Sequence, residues 1–258
     1  MKVYFIGAGP GAADLITLRG AAILNRVSMV LYAGSLVPVD MLQHCHPDAE
    51  LIDTAQLDLE QQQACYQRAQ EADLDVARLH SGDPAIYGAT AEQMRRLDAL
   101  GIEYDIVPGV SSFTAAAASI KAELTKPEIS QSIILTRVSG RASAVPELES
   151  IARLAEHQAT MCIFLSGPHL KKIVVDLRLH YPDDTPVALV YRASWPEERS
   201  YQGTLATILK ETKKADWNLT TMLLVGKALG RDAQTESSLY SKDFTHIFRV
   251  VKKKNTAA

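Results

Sequence analysis

The chain begins with an apolar strand that runs directly into closely spaced glycines, Lys2-Val3-Tyr4-Phe5-Ile6-Gly7-Ala8-Gly9-Pro10-Gly11. Such a junction brings bare backbone to the carboxyl end of a strand, where open α/β sheets place their ligands. It departs from a dinucleotide fingerprint in two ways. Pro10 has no N–H, so a donor is missing where a pyrophosphate needs one. A dinucleotide site also wants an acid about 20 residues on to hold the ribose. Here the second apolar run, ending Tyr32-Ala33-Gly34-Ser35, carries no carboxylate. The turn suits a backbone-lined pocket for a small ligand better than a pyrophosphate cradle.

Short apolar runs at 3–6, 29–32, 51–53, 76–80 and 104–107 read as strands, with helical stretches at 17–25, 58–72 and 89–100 between them. This alternation predicts a largely parallel sheet covered on both faces. Glu123-Leu-Thr-Lys-Pro127-Glu128 reads as a linker, after which strands recur at 132–136, 161–165, 187–191 and 221–225. Helical pieces fall at 146–156, 170–179 and 204–211, and 198–203 is read as an antiparallel strand or hairpin. The expected fold is α/β: two α/β domains, 1–120 and 121–258, with a cleft between them, where small ligands usually sit.

Bulk properties narrow the function. A chain of 258 residues buries enough surface to need neither disulfides nor metal. Its net charge of −3 argues against a nucleic-acid partner, and the basic stretch Arg249–Lys254 reads as a solvated tail. Three scattered cysteines point to a reducing, cytoplasmic setting. The glycines and Tyr4 interrupt the first apolar run too soon for a signal peptide, and no segment reaches the ~20 apolar residues of a membrane span, so no membrane partner is expected.

Five further groups stand at strand ends. In Ser81-Gly82-Asp83-Pro84-Ala85-Ile86-Tyr87-Gly88, Gly82 admits a ligand to the backbone and Asp83 offers a carboxylate. The alternative is a turn in which Asp83 bonds its own backbone. In Pro108-Gly109-Val110-Ser111-Ser112, helix capping by serine would account for the hydroxyls. Leu165-Ser166-Gly167-Pro168, Arg192-Ala193-Ser194 and Thr220-Thr221-Met222 are, singly, ordinary loop chemistry. His44-Cys45-His46 lacks the spacing of a zinc site, and no protein-bound metal is expected. There is no G-x-S-x-G elbow and no P-loop.

In this order and spacing, the Ile6–Thr17 turn, the Ser81–Gly88 loop and the Pro108–Ser112 turn resemble the tetrapyrrole methyltransferase family, over nearly the whole chain. Tyr32–Val37, Ile52–Ala55, Pro108–Ala115, Ile133–Arg141 and Tyr240–His246 are similar to its precorrin-4 C-11 branch, which has metal-free and cobalt-containing forms. Overall similarity leans to the cobalt form. The resemblance implies S-adenosylmethionine in the interdomain cleft, lined by Pro10, Gly82, Asp83, Ile86, Tyr87, Ser111 and Ser112 of the first domain. Leu165, Ser166, Arg192, Ala193, Thr221 and Met222 would line it from the second.

The same resemblance makes Tyr32, Gly34 and Ser35 a wall of the tetrapyrrole site and implies a homodimer. Relatives that methylate uroporphyrinogen carry an Asp after the second-strand tyrosine; Ala33 stands there, so that proton-transfer role does not carry over. Arg137 and Arg141 suit the substrate's carboxylates, with plain surface arginines as the alternative. No general base is expected: the activated ring carbon displaces S-adenosylhomocysteine, and the protein supplies alignment. The competing readings are an RNA-ribose or diphthine-type methyltransferase of the same superfamily, and a nucleotide-dependent oxidoreductase or sensor.

Overall fold

The computed structural model describes residues 1–139, 144–230, 237, 241–242, 244–245 and 247–249. Arg141, Tyr240, Asp243, His246 and Lys252–Lys254 lie outside the described residues. By contacts the chain divides into two compact units, 1–120 with 190–200, and 121–189 with the described part of 201–258.

In the first unit the apolar runs form the expected strands: β1 (Lys2–Gly7), β2 (Met29–Tyr32), β3 (Glu50–Asp53), β4 (Val76–His80) and β5 (Glu103–Val107). Between them lie α1 (Leu18–Leu24), α2 (Leu59–Glu71) and α3 (Thr90–Leu100), and α4 (Ser112–Ser119) follows β5. Local chemistry sets the helix ends. Thr17 Oγ accepts from Gly20 N at 3.1 Å to start α1, and Asp58 and Gln61 exchange side-chain-to-backbone bonds as a capping box at the start of α2. Gly101, at φ +66°, ends α3 in the left-handed conformation that glycine adopts most cheaply.

The five strands pair in the order β3-β2-β4-β1-β5, all in parallel. The central strands β1, β2 and β4 are buried on both faces, as parallel sheets require, while the edge strands β3 and β5 are largely exposed. Tyr4, Ile6, Val30 and Leu79 pack beside Ile23 and Leu24 of α1, while Val3, Phe5, Leu31 and Val76 pack beside Tyr66 of α2 and Leu97 of α3. Burying such a side chain stabilises by roughly 1.5–3 kcal/mol. From adjacent β1 and β4 the chain departs in opposite directions across the sheet, to β2 and to β5. That is the topological switch at which α/β sheets open a crevice for ligands.

The second sheet pairs β6 (Ile133–Arg137), β7 (Thr160–Phe164), β8 (Pro186–Tyr191), β9 (Arg199–Thr204) and β10 (Thr221–Val225) in the order β6-β7-β10-β8-β9. Its helices are α5 (Ile151–Ala155), α6 (Leu170–Leu177) and α7 (Ile208–Glu211). This second sheet is mixed. β6 and β7 are parallel, but β10 runs antiparallel to β7. The apolar run of β10 reports burial on both faces, and burial carries no information about direction. Among the described residues, no helix is long and apolar enough to cross a membrane.

Three glycines bring the ends of β1, β4 and β5 into backbone contact. A Cβ on Gly109 would lie 2.2 Å from Gly82 O and 2.7 Å from Gly7 Cα, and one on Gly7 would lie 2.5 Å from Gly109 Cα. Gly109→Ala is therefore expected to destabilise by about 3 kcal/mol, as overpacking of unyielding backbone does. Gly101→Ala, with open space around the added methyl, should cost only about 1–2 kcal/mol for its positive φ. Urea denaturation of the two variants measures the difference.

Candidate functional site

The crevice at the ends of β1 and β4 is knitted by main-chain bonds. Ala8 N donates to His80 O at 2.8 Å, Gly9 N to Gly82 O at 3.2 Å, and Gly82 N to Gly9 O at 2.7 Å. Gly9 and Gly82 need their glycines, standing at φ +79° and +66°. Asp83 ties in the third loop. Its Oδ1 accepts from Ala85 N and its Oδ2 from Gly109 N, both at 2.8 Å. Asp83 thus does bond its own turn, and it also carries the Pro108-Gly109 turn. An ionised carboxylate has about four acceptor sites, so capacity remains for a ligand.

Two of the donors an anion would use at the first turn are already committed and a third is missing. Gly9 N–H is paired with Gly82, Pro10 has none, and Ala12 N–H donates to Ser194 Oγ at 3.0 Å. No Lys or Arg occurs in residues 7–11, 81–88 or 108–112. The loops offer carbonyls, one carboxylate and hydroxyls, which is a surface for a phosphate-free, neutral or cationic ligand. Capping does not explain Ser111. It holds the N-cap position of α4 and is buried, but its side chain makes no capping bond, so its hydroxyl is uncommitted to the helix.

The other expected residues of this unit are placed as follows. Pro10 is buried, Ile86 and Ser112 are half-buried, and Tyr87 is exposed at φ +54°. Arg192, at φ +48°, leads from β8 with its guanidinium over the rings of Tyr191 and Trp195, and Ala193 beside it is buried. Tyr32 closes β2, and Gly34 and Ser35 are exposed in the loop beyond it. That loop is held by a residue not singled out in the sequence: Asp53 Oδ1 accepts from Gly34 N and Ala55 N, each at 2.9 Å. Those backbone donors hold the Asp53 carboxyl below its usual range. His44 holds Ala13 O at 3.0 Å.

In the second unit, Leu165 follows β7 exposed at φ +56°, and Ser166, fully buried, donates from Oγ to Thr221 O at 3.0 Å. Thr221 is buried with no partner for its own hydroxyl, and Met222 is buried beside it in β10. A buried hydroxyl without a partner needs a reason, and a ligand atom supplies one. Arg137, ending β6, donates to the carbonyls of Val138 and Ala144. Tyr87, Leu165 and Arg192 all hold left-handed backbone without being glycine. Such strain costs about 1–3 kcal/mol each and clusters where a ligand is held.

Beneath the crevice, burial and the neighbouring Arg78 charge push the His80 imidazole down to about 3. Its Nε2 is buried without a partner. The folded chain therefore keeps His80 neutral at pH values where the unfolded chain protonates it, below about 6.5. Stability should fall as pH drops from about 6.5 toward 3, by about 2 kcal/mol between 6.5 and 5. His80→Gln should flatten that limb in urea denaturation at a series of pH values.

The profile described as Tetrapyrrole (Corrin/Porphyrin) Methylases matches residues 2–209. The precorrin-4 C(11)-methyltransferase of Pseudomonas aeruginosa is 47% identical over 249 residues, 96% of this chain and 99% of that protein. The X-ray structure of a cobalamin biosynthetic enzyme, cobalt precorrin-4 methyltransferase, superposes with a TM-score of 0.85 at 41% identity, covering 89% of this chain and 96% of the other. Uroporphyrin-III C-methyl transferase from Thermus thermophilus, complexed with S-adenosylhomocysteine, gives a TM-score of 0.72 at 26% identity, covering 88% and 98%. With its glycine-knit crevice, its two α/β sheets and these matches over most of its length, the chain belongs to the tetrapyrrole (corrin/porphyrin) methylase family.

Proposed function

We propose that the chain transfers a methyl group from S-adenosylmethionine to C-11 of precorrin-4, in its metal-free or cobalt-bearing form. The observation that carries the donor half is the chemistry of the β1, β4 and β5 loops. The Gly9, Gly82, Gly109 and Ala12 N–H groups are consumed internally, Pro10 has none, the loops hold no Lys or Arg, and they keep a carboxylate with spare capacity. A sulfonium cofactor, cationic and without phosphate, fits that set, and a nicotinamide dinucleotide does not. The relatives' names support the acceptor half.

When bound, S-adenosylmethionine supplies an electrophilic methyl group, and C-11 takes it as S-adenosylhomocysteine leaves. What the residues supply is placement. Asp83 holds the Gly82 and Gly109 turns in register and presents its remaining lone pairs to the donor. Ser111 and Ser112 present hydroxyls, and Pro10, Ile86, Tyr87 and Ala193 give the site its shape. Leu165, Ser166, Arg192, Thr221 and Met222 complete the proposed donor contacts. Tyr32, Gly34 and Ser35, on the loop pinned by Asp53, are proposed to face the macrocycle, with Arg137 and Arg141 for its carboxylates. Alignment of this kind can lower a barrier by up to ~7–11 kcal/mol, so no general base is required of the protein. A homodimer, which rests on the resemblance, and a cytoplasmic setting, which rests on the three scattered cysteines, are part of the same proposal.

Incubation with methyl-labelled S-adenosylmethionine and precorrin-4, with and without cobalt, tests the reading. The expected result is label in a product one methyl heavier, with S-adenosylhomocysteine released in equal amount. The preferred form of the macrocycle assigns the route. Transfer to neither form, with donor binding intact, removes the acceptor and leaves the donor half standing.

A further inference from the structure

Gly11 is needed for a reason other than its own backbone angles: it is not among the residues with positive φ. A Cβ at Gly11 would lie 2.1 Å from Trp195 Cδ1 and 2.4 Å from its Nε1, distances that real Cβ atoms do not show. The indole of Trp195 lies directly on the glycine turn. Its Nε1–H donates to Pro10 O at 2.8 Å, and the preceding Ser194 accepts from Ala12 N at 3.0 Å. Two bonds from one short segment therefore fix the carbonyl before Gly11 and the N–H after it. Gly11 has no side chain of its own to limit rotation of those peptides.

The segment is itself braced. Ser194 N donates to Glu198 Oε2, and Ser119 Oγ to Glu198 Oε1, both at 2.5 Å, which anchors the segment at the end of α4. The Arg192 guanidinium sits 4.9 Å from the Trp195 ring and 3.3 Å from Glu197. A guanidinium over an aromatic face is attracted by the ring's electron density, which steadies the indole on the turn. Ser194 is held at φ +68°, a strained angle for a residue with a side chain. Gly11, Ala12 and Trp195 also line a cavity of about 640 Å³, with Asp14, Pro38 and Asp40. The clipped turn thus borders open space large enough for a ligand.

We propose that Ser194 and Trp195 are positioning residues that set the Gly9-Pro10-Gly11 turn for the donor. The inference rests on the donor reading above. If it holds, the segment after β8 controls donor affinity through the turn it grips.

The test is calorimetric titration of S-adenosylhomocysteine into the full chain and into Trp195→Phe, Ser194→Gly and the double variant, with thermal melting alongside. Trp195→Phe keeps an aromatic ring and drops the N–H. Ser194→Gly drops the acceptor while relieving the positive φ, so its melting temperature should stay level or rise. The expected result is a Kd raised five- to tenfold in each single variant and further in the double, with the KM for the tetrapyrrole unchanged. Loss of affinity in Ser194→Gly without loss of stability is a change that a merely structural role would not produce. Unchanged affinity in both single variants, with the unaltered chain binding, overturns this inference alone. No binding by the unaltered chain overturns the donor reading and this inference together.

Discussion

Three stretches of backbone meet where β1, β4 and β5 end, closer than any side chain would permit. The missing Cβ atoms of Gly7 and Gly109 make that approach possible, Gly82 turns beside them at φ +66°, and the Asp83 carboxylate fastens the junction by accepting from Ala85 and Gly109. Everything proposed for the first unit depends on this junction. It sits at the sheet's topological switch, it fixes where the Pro10 and Ser111 turns stand, and it spends the Gly9, Gly82 and Gly109 N–H groups on the protein's own oxygens. A carboxylate that pins two turns while keeping free lone pairs is an economical way to build a cation-tolerant site out of backbone.

Specificity then follows from what the loops lack as much as from what they hold. Without Lys or Arg in these turns, a dinucleotide or nucleoside triphosphate meets carbonyls and a carboxylate in place of compensating charge. Left-handed, non-glycine residues recur at Tyr87, Leu165, Arg192 and Ser194, each in the loop that follows a strand. Their cost is tolerated because the fold around them is rigid: β1, β4 and β5 share a continuous register, and Ser166 is fixed to Thr221 by two bonds, from N at 3.1 Å and from Oγ at 3.0 Å.

Much of this was legible in the sequence, for identifiable reasons. Apolar runs bounded by glycine or proline gave the strands of the first unit nearly to the residue, because parallel strands buried on both faces leave an uninterrupted apolar signature. The glycine spacing marked the crevice. Four things were not legible. The antiparallel course of β10 was hidden because an apolar run has no direction. The burial of Ser111 without a cap was hidden because serine before a helix reads the same whether or not its hydroxyl is used. The grip of Ser194 and Trp195 on residues 10–12 was hidden because a contact across more than 180 positions leaves no local pattern; the faint signal was a tryptophan, one of only two, set in Arg192-Ala-Ser-Trp195-Pro196. Asp53 escaped notice for a related reason, since it ends the neighbouring strand β3 and not the strand whose loop it holds.

Asp83 is the proposed link between backbone architecture and donor binding. Calorimetric titration of S-adenosylhomocysteine into Asp83→Asn tests that link most directly. An asparagine keeps one acceptor oxygen but places an amide nitrogen where one N–H must be received, and it removes the charge. The account predicts a Kd raised at least tenfold, equivalent to about 1.4 kcal/mol, in a chain that remains folded by circular dichroism. An unchanged Kd in the folded variant would contradict it.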